Sequence, residues 1–145
     1  MSRKFAASAA MMLVVALSVT GLTLADDDSP LAKQMNGINA KTGVIKKATK
    51  TAATWKKDAK PTVAAAEEIV KLGKEARKDT TSAEKTKKPQ DDWTKLMDDM
   101  IKSAGDYATL AAKPDTTQAQ AKDAFNTLNK SCSSCHAIFR VDDDK

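Results

Sequence analysis

Side chains able to hold a soft metal or do thiol chemistry are scarce in this 145-residue chain, which has one histidine and two cysteines. Aromatic residues are few as well, with one Tyr, two Trp and three Phe. With so few rings to stack on bases, and with both charge signs interspersed, the basic excess does not indicate a nucleic-acid protein. Glycine is limited to five positions, none of them in a phosphate-cradling loop. Past residue 25 no segment sustains the alternation of a strand. Rossmann, P-loop and β-sandwich folds are therefore excluded.

Charge is missing altogether from Phe5 to Ala25, directly after Arg3 and Lys4. That stretch has an apolar heart at Met11–Val19, closes on Leu22-Thr23-Leu24-Ala25, and is followed at once by Asp26-Asp27-Asp28. This is the layout of a cleaved secretory signal over residues 1–25, and its apolar heart is short for a membrane span. An uncleaved anchor is the alternative. Cleavage leaves residues 26–145, a length that suits one domain with no membrane span. It removes Arg3 and Lys4 but no acidic residue, so the net charge falls from +5 to +3.

The remainder reads as helix almost throughout. Ser29-Pro30 supplies an N-cap and a first-turn proline, with Asp26–Asp28 upstream to complement the helix dipole. Leu31, Met35, Ile38, Ile45, Ala48 and Ala52 recur at helical spacing and predict one apolar stripe, weakened by Gly37 and Gly43. Pro61 is expected to open a second helix carrying Val63, Ala66, Ile69, Val70 and Gly73. Residues 78–90 are polar, aperiodic and contain Pro89, which predicts a long loop. A third helix starts at Asp91-Asp92, with Trp93, Leu96, Met97, Met100, Ile101, Ala104 and Ala108 on one side. Lys113-Pro114-Asp115 breaks it. Thr116 or Thr117 caps a fourth, which runs through Ala121, Ala124, Phe125, Leu128, Cys132, Cys135, His136 and Phe139, before an acidic tail at Asp142–Asp144 that is expected to fray. The expected fold is all-α, an antiparallel up-down-up-down four-helix bundle. Its stripes are thin in bulky residues, and such a core gains from a large apolar ligand.

All the scarce ligating residues fall within Cys132-Ser133-Ser134-Cys135-His136. Cys-x-x-Cys-His is the attachment motif for c-type haem. On a helix the two thiols stand at i and i+3 and face the same way, so each can add to one vinyl group. His136 follows directly and can reach the iron. A thioredoxin-like pair would need a βαβ setting, which is absent. A closed zinc site would need four ligands, and no other Cys or His completes one. A disulfide would close a very small loop and leave the histidine unexplained. Export agrees with the haem reading, because this haem is attached outside the cytoplasm. No paired carboxylates stand at a catalytic spacing, so the chain is not read as an enzyme.

Cys132–His136 followed by Ala137-Ile138-Phe139-Arg140, at the end of the last helix of a bundle, resembles the cytochrome c prime family. The low-spin cytochrome c-556 and cytochrome b562 types share that fold group. The resemblance spans residues 26–145 and is specific over Cys132–Arg140. It implies one covalently attached haem c between the helices, thioethers at Cys132 and Cys135, and His136 as proximal iron ligand. Arg140, one turn beyond His136, would lie near the proximal face. In isolation an Arg there is equally a partner for the helix dipole. The distal side decides function, since an open face binds gases and a second protein ligand favours electron transfer. With His136 the lone histidine, a methionine thioether is the natural sixth ligand, and Met35, Met97 and Met100 are the candidates. In an up-down bundle the start of the first helix lies level with the end of the fourth, which selects Met35, with Met97 as fallback. Gln34-Met35-Asn36-Gly37-Ile38-Asn39 and Val44-Ile45-Lys46-Lys47-Ala48 also resemble the first helix of the low-spin types, where such a methionine binds iron. An inward methionine is as readily core filler.

These residues imply a periplasmic electron carrier that meets unidentified redox partner proteins. The alternative is a five-coordinate cytochrome c prime that binds nitric oxide or carbon monoxide at an open distal face. Lys33, Lys46, Lys47, Lys50, Lys56 and Lys57 would steer an acidic redox partner; the alternative, and the more usual meaning of such lysines, is a plain solvated face. Family members often pair through their first two helices, so the resemblance leaves a homodimer open, although this stripe does not demand one.

Overall fold

The computed structural model describes residues 29–140. The signal segment 1–25, the Asp26–Asp28 run and the tail at Asp142–Asp144 lie outside the described residues. Within them the chain forms α1 (Pro30–Ala48), α2 (Ala52–Ala76), α3 (Thr81–Thr86), α4 (Gln90–Ala111) and α5 (Gln118–Phe139), and no strand. No helix among the described residues is long and apolar enough to cross a membrane.

Local chemistry sets most of these boundaries. Ser29 caps α1 by accepting from the Ala32 amide at 3.1 Å, with Pro30 in the first turn where its missing N–H costs nothing. Thr117 opens α5 through a reciprocal capping box. The Gln120 amide donates to Thr117 Oγ1, and the Thr117 amide donates to Gln120 Oε1 at 2.8 Å. Lys113-Pro114-Asp115 separates α4 from α5 as expected.

Two expectations are corrected. Pro61 does not start a helix but lies inside α2, which begins nine residues earlier. Thr51 caps that start, exchanging hydrogen bonds with Thr54 at 3.1 and 3.0 Å, so Ala52 belongs to α2 and not to the stripe of α1. An interior proline forfeits one backbone hydrogen bond and costs about 3 kcal/mol in an isolated helix. Here the flanking turns bury Trp55, Thr62, Ala65, Ala66 and Ile69, and tertiary packing offsets the loss. The second correction concerns residues 78–90, which are not loop throughout. They contain α3, so the described chain has five helices and not four. Asp79 accepts from the Ser82 amide and the Thr81 hydroxyl at its start, and Lys87 closes it in the left-handed conformation at φ 54.

The helices pack in sequence, α1 on α2, α2 on α4 and α4 on α5, while α3 touches α4 and α5. Ile45, Ile69, Met97, Tyr107 and Leu128 are fully enclosed. Burying one such Ile or Leu contributes roughly 1.5–3 kcal/mol. Gly37 and Gly73 have a packing reason that sequence alone hides. A Cβ on Gly37 would stand 2.8 Å from a Leu72 methyl of α2, and one on Gly73 would stand 2.9 Å from Met100 and Ile101 of α4. Gly43 has open space around it.

Long-range hydrogen bonds tie the helix ends together. Trp93 Nε1, early in α4, donates to Ala76 O at the end of α2. Gln118 Nε2, at the start of α5, donates to Thr49 O just past the end of α1. Trp55 Nε1, early in α2, donates to Thr116 O ahead of α5. The first and last helices nevertheless meet only sparsely. A seam is left between them.

Candidate cofactor site

One end of that seam is a cavity of about 550 Å³. Cofactor sites of this kind typically enclose roughly 300–1,000 Å³. From α5 it is lined by Cys132, Cys135, His136, Phe139 and the following Arg140. From α1 come Leu31, Met35 and Ile38, and from α4 Trp93, Met97 and Met100. Cys132, Cys135, His136, Arg140 and the three candidate methionines thus border one space, although they lie up to about a hundred positions apart.

Helical phase explains the α5 contribution. Leu128, Cys135 and Phe139 lie at i, i+7 and i+11, on the stripe that faces the core, and all three are buried. Cys132 sits one turn before Cys135 and is half-buried, so both thiols are turned toward the cavity side of the helix. Burial pushes the Cys132 thiol above its ordinary value, and burial with the adjacent Cys132 pushes Cys135 up to about 11. Both are protonated at neutral pH. That does not suit a dithiol redox catalyst, whose attacking cysteine needs a depressed pKa. His136 lines the cavity while its residue remains exposed, and its imidazole makes no hydrogen bond among the described residues. Its ring nitrogens are therefore available to a ligand.

Arg140 holds the end of α5. Its backbone turns extended there, its amide donates to His136 O at 3.2 Å, and it also lines the cavity.

The three methionines differ in burial. Met97 and Met100 are 1% and 4% exposed and belong to the core, whereas Met35 is half-buried and packs against its edge. Met35 therefore borders the cavity without being locked into the packing behind it. The wall also contains groups the sequence reading did not single out for it. Phe139 packs edge-on against Trp93, with ring centroids 5.3 Å apart and planes at 84°, and closes the apolar back. Asn36, Asn39, Thr42 and Asn129 line the seam side, and Ser82 of α3 contributes from the segment expected to be loop. The i, i+3 spacing of Asn36, Asn39 and Thr42 was the available signal for a polar stripe beside the apolar one.

Among the described residues no three His, Cys, Asp or Glu side chains cluster to hold a metal ion unaided. What the cavity offers is a large, mainly apolar space with two thiols on one side of a helix, one free imidazole and a nearby thioether. That set fits a flat, apolar, metal-bearing group bonded through carbon to sulfur. Comparison of the chain with protein-family models, curated proteins and solved structures gives no match.

Proposed function

We propose that this protein is a periplasmic electron carrier holding one covalent haem c in the α1–α5 cavity. The observation that carries the reading is the convergence on that cavity of Cys132, Cys135 and His136 from α5 and Met35 from α1. The fold reads as an antiparallel four-helix bundle, α1, α2, α4 and α5 running up-down-up-down, with α3 an insert in one connection. Pairing of the end of α1 with the start of α5, and of the end of α2 with the start of α4, supports that order.

Cys132 and Cys135 would hold the group by thioether bonds, His136 would be the proximal iron ligand and Met35 the sixth. When bound, the haem supplies a one-electron couple between ferric and ferrous iron. The chain's own part is to fix two ligands on packed helices, so that the same atoms serve both oxidation states, and to exclude water with Trp93, Met97 and Phe139. A thioether ligand and an apolar wall both raise the potential. With His136 and Met35 both serving as iron ligands, no position on the metal would be left for a substrate and no proton would have to move.

Intact-mass measurement under denaturing conditions tests the attachment, on chain exported in a host equipped for c-type haem attachment. The expected product lacks residues 1–25, is heavier than the bare polypeptide by one haem, and does not react with iodoacetamide. A chain of bare-polypeptide mass with two alkylatable thiols contradicts the reading, as does one lighter by two hydrogens, the mark of a Cys132–Cys135 disulfide.

A further inference from the structure

The α1–α5 seam continues beyond the cysteine-bearing cavity. Where the second half of α1 approaches the first half of α5 lies another hollow of about 540 Å³. Lys46, Lys47, Lys50 and Lys122 line it, all exposed, together with Asn126 and the buried ring of Phe125. The two spaces adjoin along both helices. Thr42 and Asn129 border the first, Gly43 and Asn126 the second.

None of the four lysine side chains makes a salt bridge or hydrogen bond among the described residues, whereas Lys71, Lys78 and Lys102 pair with Glu68, Glu75 and Asp106. The charges are also segregated by helix. α1 carries four lysines and no acidic residue, while α4 carries five aspartates against two lysines. Lys46 and Lys47 fall in the last turn of α1, where a cation complements the dipole. Lys122 lies near the N-terminus of α5, where the dipole opposes it, so helix electrostatics do not account for the cluster.

We propose that this lysine groove is the docking surface for a carboxylate-rich face of a partner protein. Four like charges held together around one concave surface raise the local potential and attract an acidic face over distance. The identification of that partner as the redox partner rests on the electron-carrier reading. A protein seated there lies over the same seam as the cysteine-bearing cavity, about one helical turn away, and the acidic α4 side orients it by repulsion.

The test uses the exported full chain, its haem content established by intact mass, labelled with nitrogen-15 and titrated with a poly-L-glutamate peptide at low salt. The expected result is amide shifts concentrated at Gly43–Lys50 and Lys122–Asn126 that vanish at high salt. Lys46→Glu with Lys122→Glu weakens binding roughly tenfold or more, and Lys71→Glu with Lys102→Glu leaves it unchanged. Shifts spread over all basic surfaces, or equal weakening by both variant pairs, overturn the proposal. So does inorganic phosphate saturating the same amides at lower concentration than the peptide, which marks a small-anion site. A haem-free chain that still binds at these lysines supports the docking surface while removing the electron-carrier reading. A haem-loaded chain that does not bind removes the docking surface alone.

Discussion

Replacement of both Cys132 and Cys135 by alanine abolishes covalent haem, and the denatured chain then has the mass of the bare polypeptide. The effect is all or none because these are the only cysteines in the chain. The fold survives. Each change removes one sulfur atom, less than Leu→Ala removes, and so costs less than the roughly 2–5 kcal/mol of that substitution. Helical circular dichroism and cooperative unfolding verify that the variant is intact. Either single variant keeps one thioether, so its mass still includes the haem. A double variant that retains haem mass through denaturation would show that attachment does not run through these thiols.

Met35→Leu converts the ferric protein from low-spin to high-spin and opens the iron to carbon monoxide without ligand displacement. Leucine preserves volume at the edge of the core, which limits the stability cost to about 1.5 kcal/mol or less. A merely structural Met35 would leave the spectrum as it is. The parallel Met97→Leu change, made at a residue 1% exposed in the core, leaves the ferric spectrum low-spin. If Met97→Leu alone changes the spin state, the sixth ligand comes from α4. If neither does, and the parent protein is already high-spin, the distal face is open and the gas-binding reading takes over.

How much of this was legible in the sequence depends on the kind of signal involved. Ser29-Pro30, Thr117 with Gln120, and Lys113-Pro114 are local boundary signals whose chemistry acts within one turn, and the helices obey them. Pro61 misled because proline favours a first turn, whereas the start of α2 is set by the Thr51–Thr54 capping box, which begins ten residues upstream. The hydrogen bond from Trp55 Nε1 to Thr116 O, one of the tertiary contacts that hold α2, joins residues 61 positions apart and is invisible to any window. α3 spans six residues, too few for a hydrophobic period to register. At the site, Cys132, Cys135 and His136 are adjacent in sequence and announce themselves by spacing. Met35 could be chosen only by assuming how α1 and α5 align and from the resemblance of its surroundings to the first helix of the low-spin types. The sparse packing of those two helices, which leaves room for a large group, is a property of the assembled chain.

The proposed six-coordinate haem held by His136 and Met35 is tested most directly by the optical spectrum of the purified protein. Ferric and ferrous forms are recorded with and without carbon monoxide. The expected result is a low-spin ferric spectrum with a methionine-to-iron charge-transfer band and slow, reluctant carbon monoxide binding after reduction. A high-spin ferric spectrum that shifts at once with carbon monoxide, or a protein with no haem absorption at all, would contradict it.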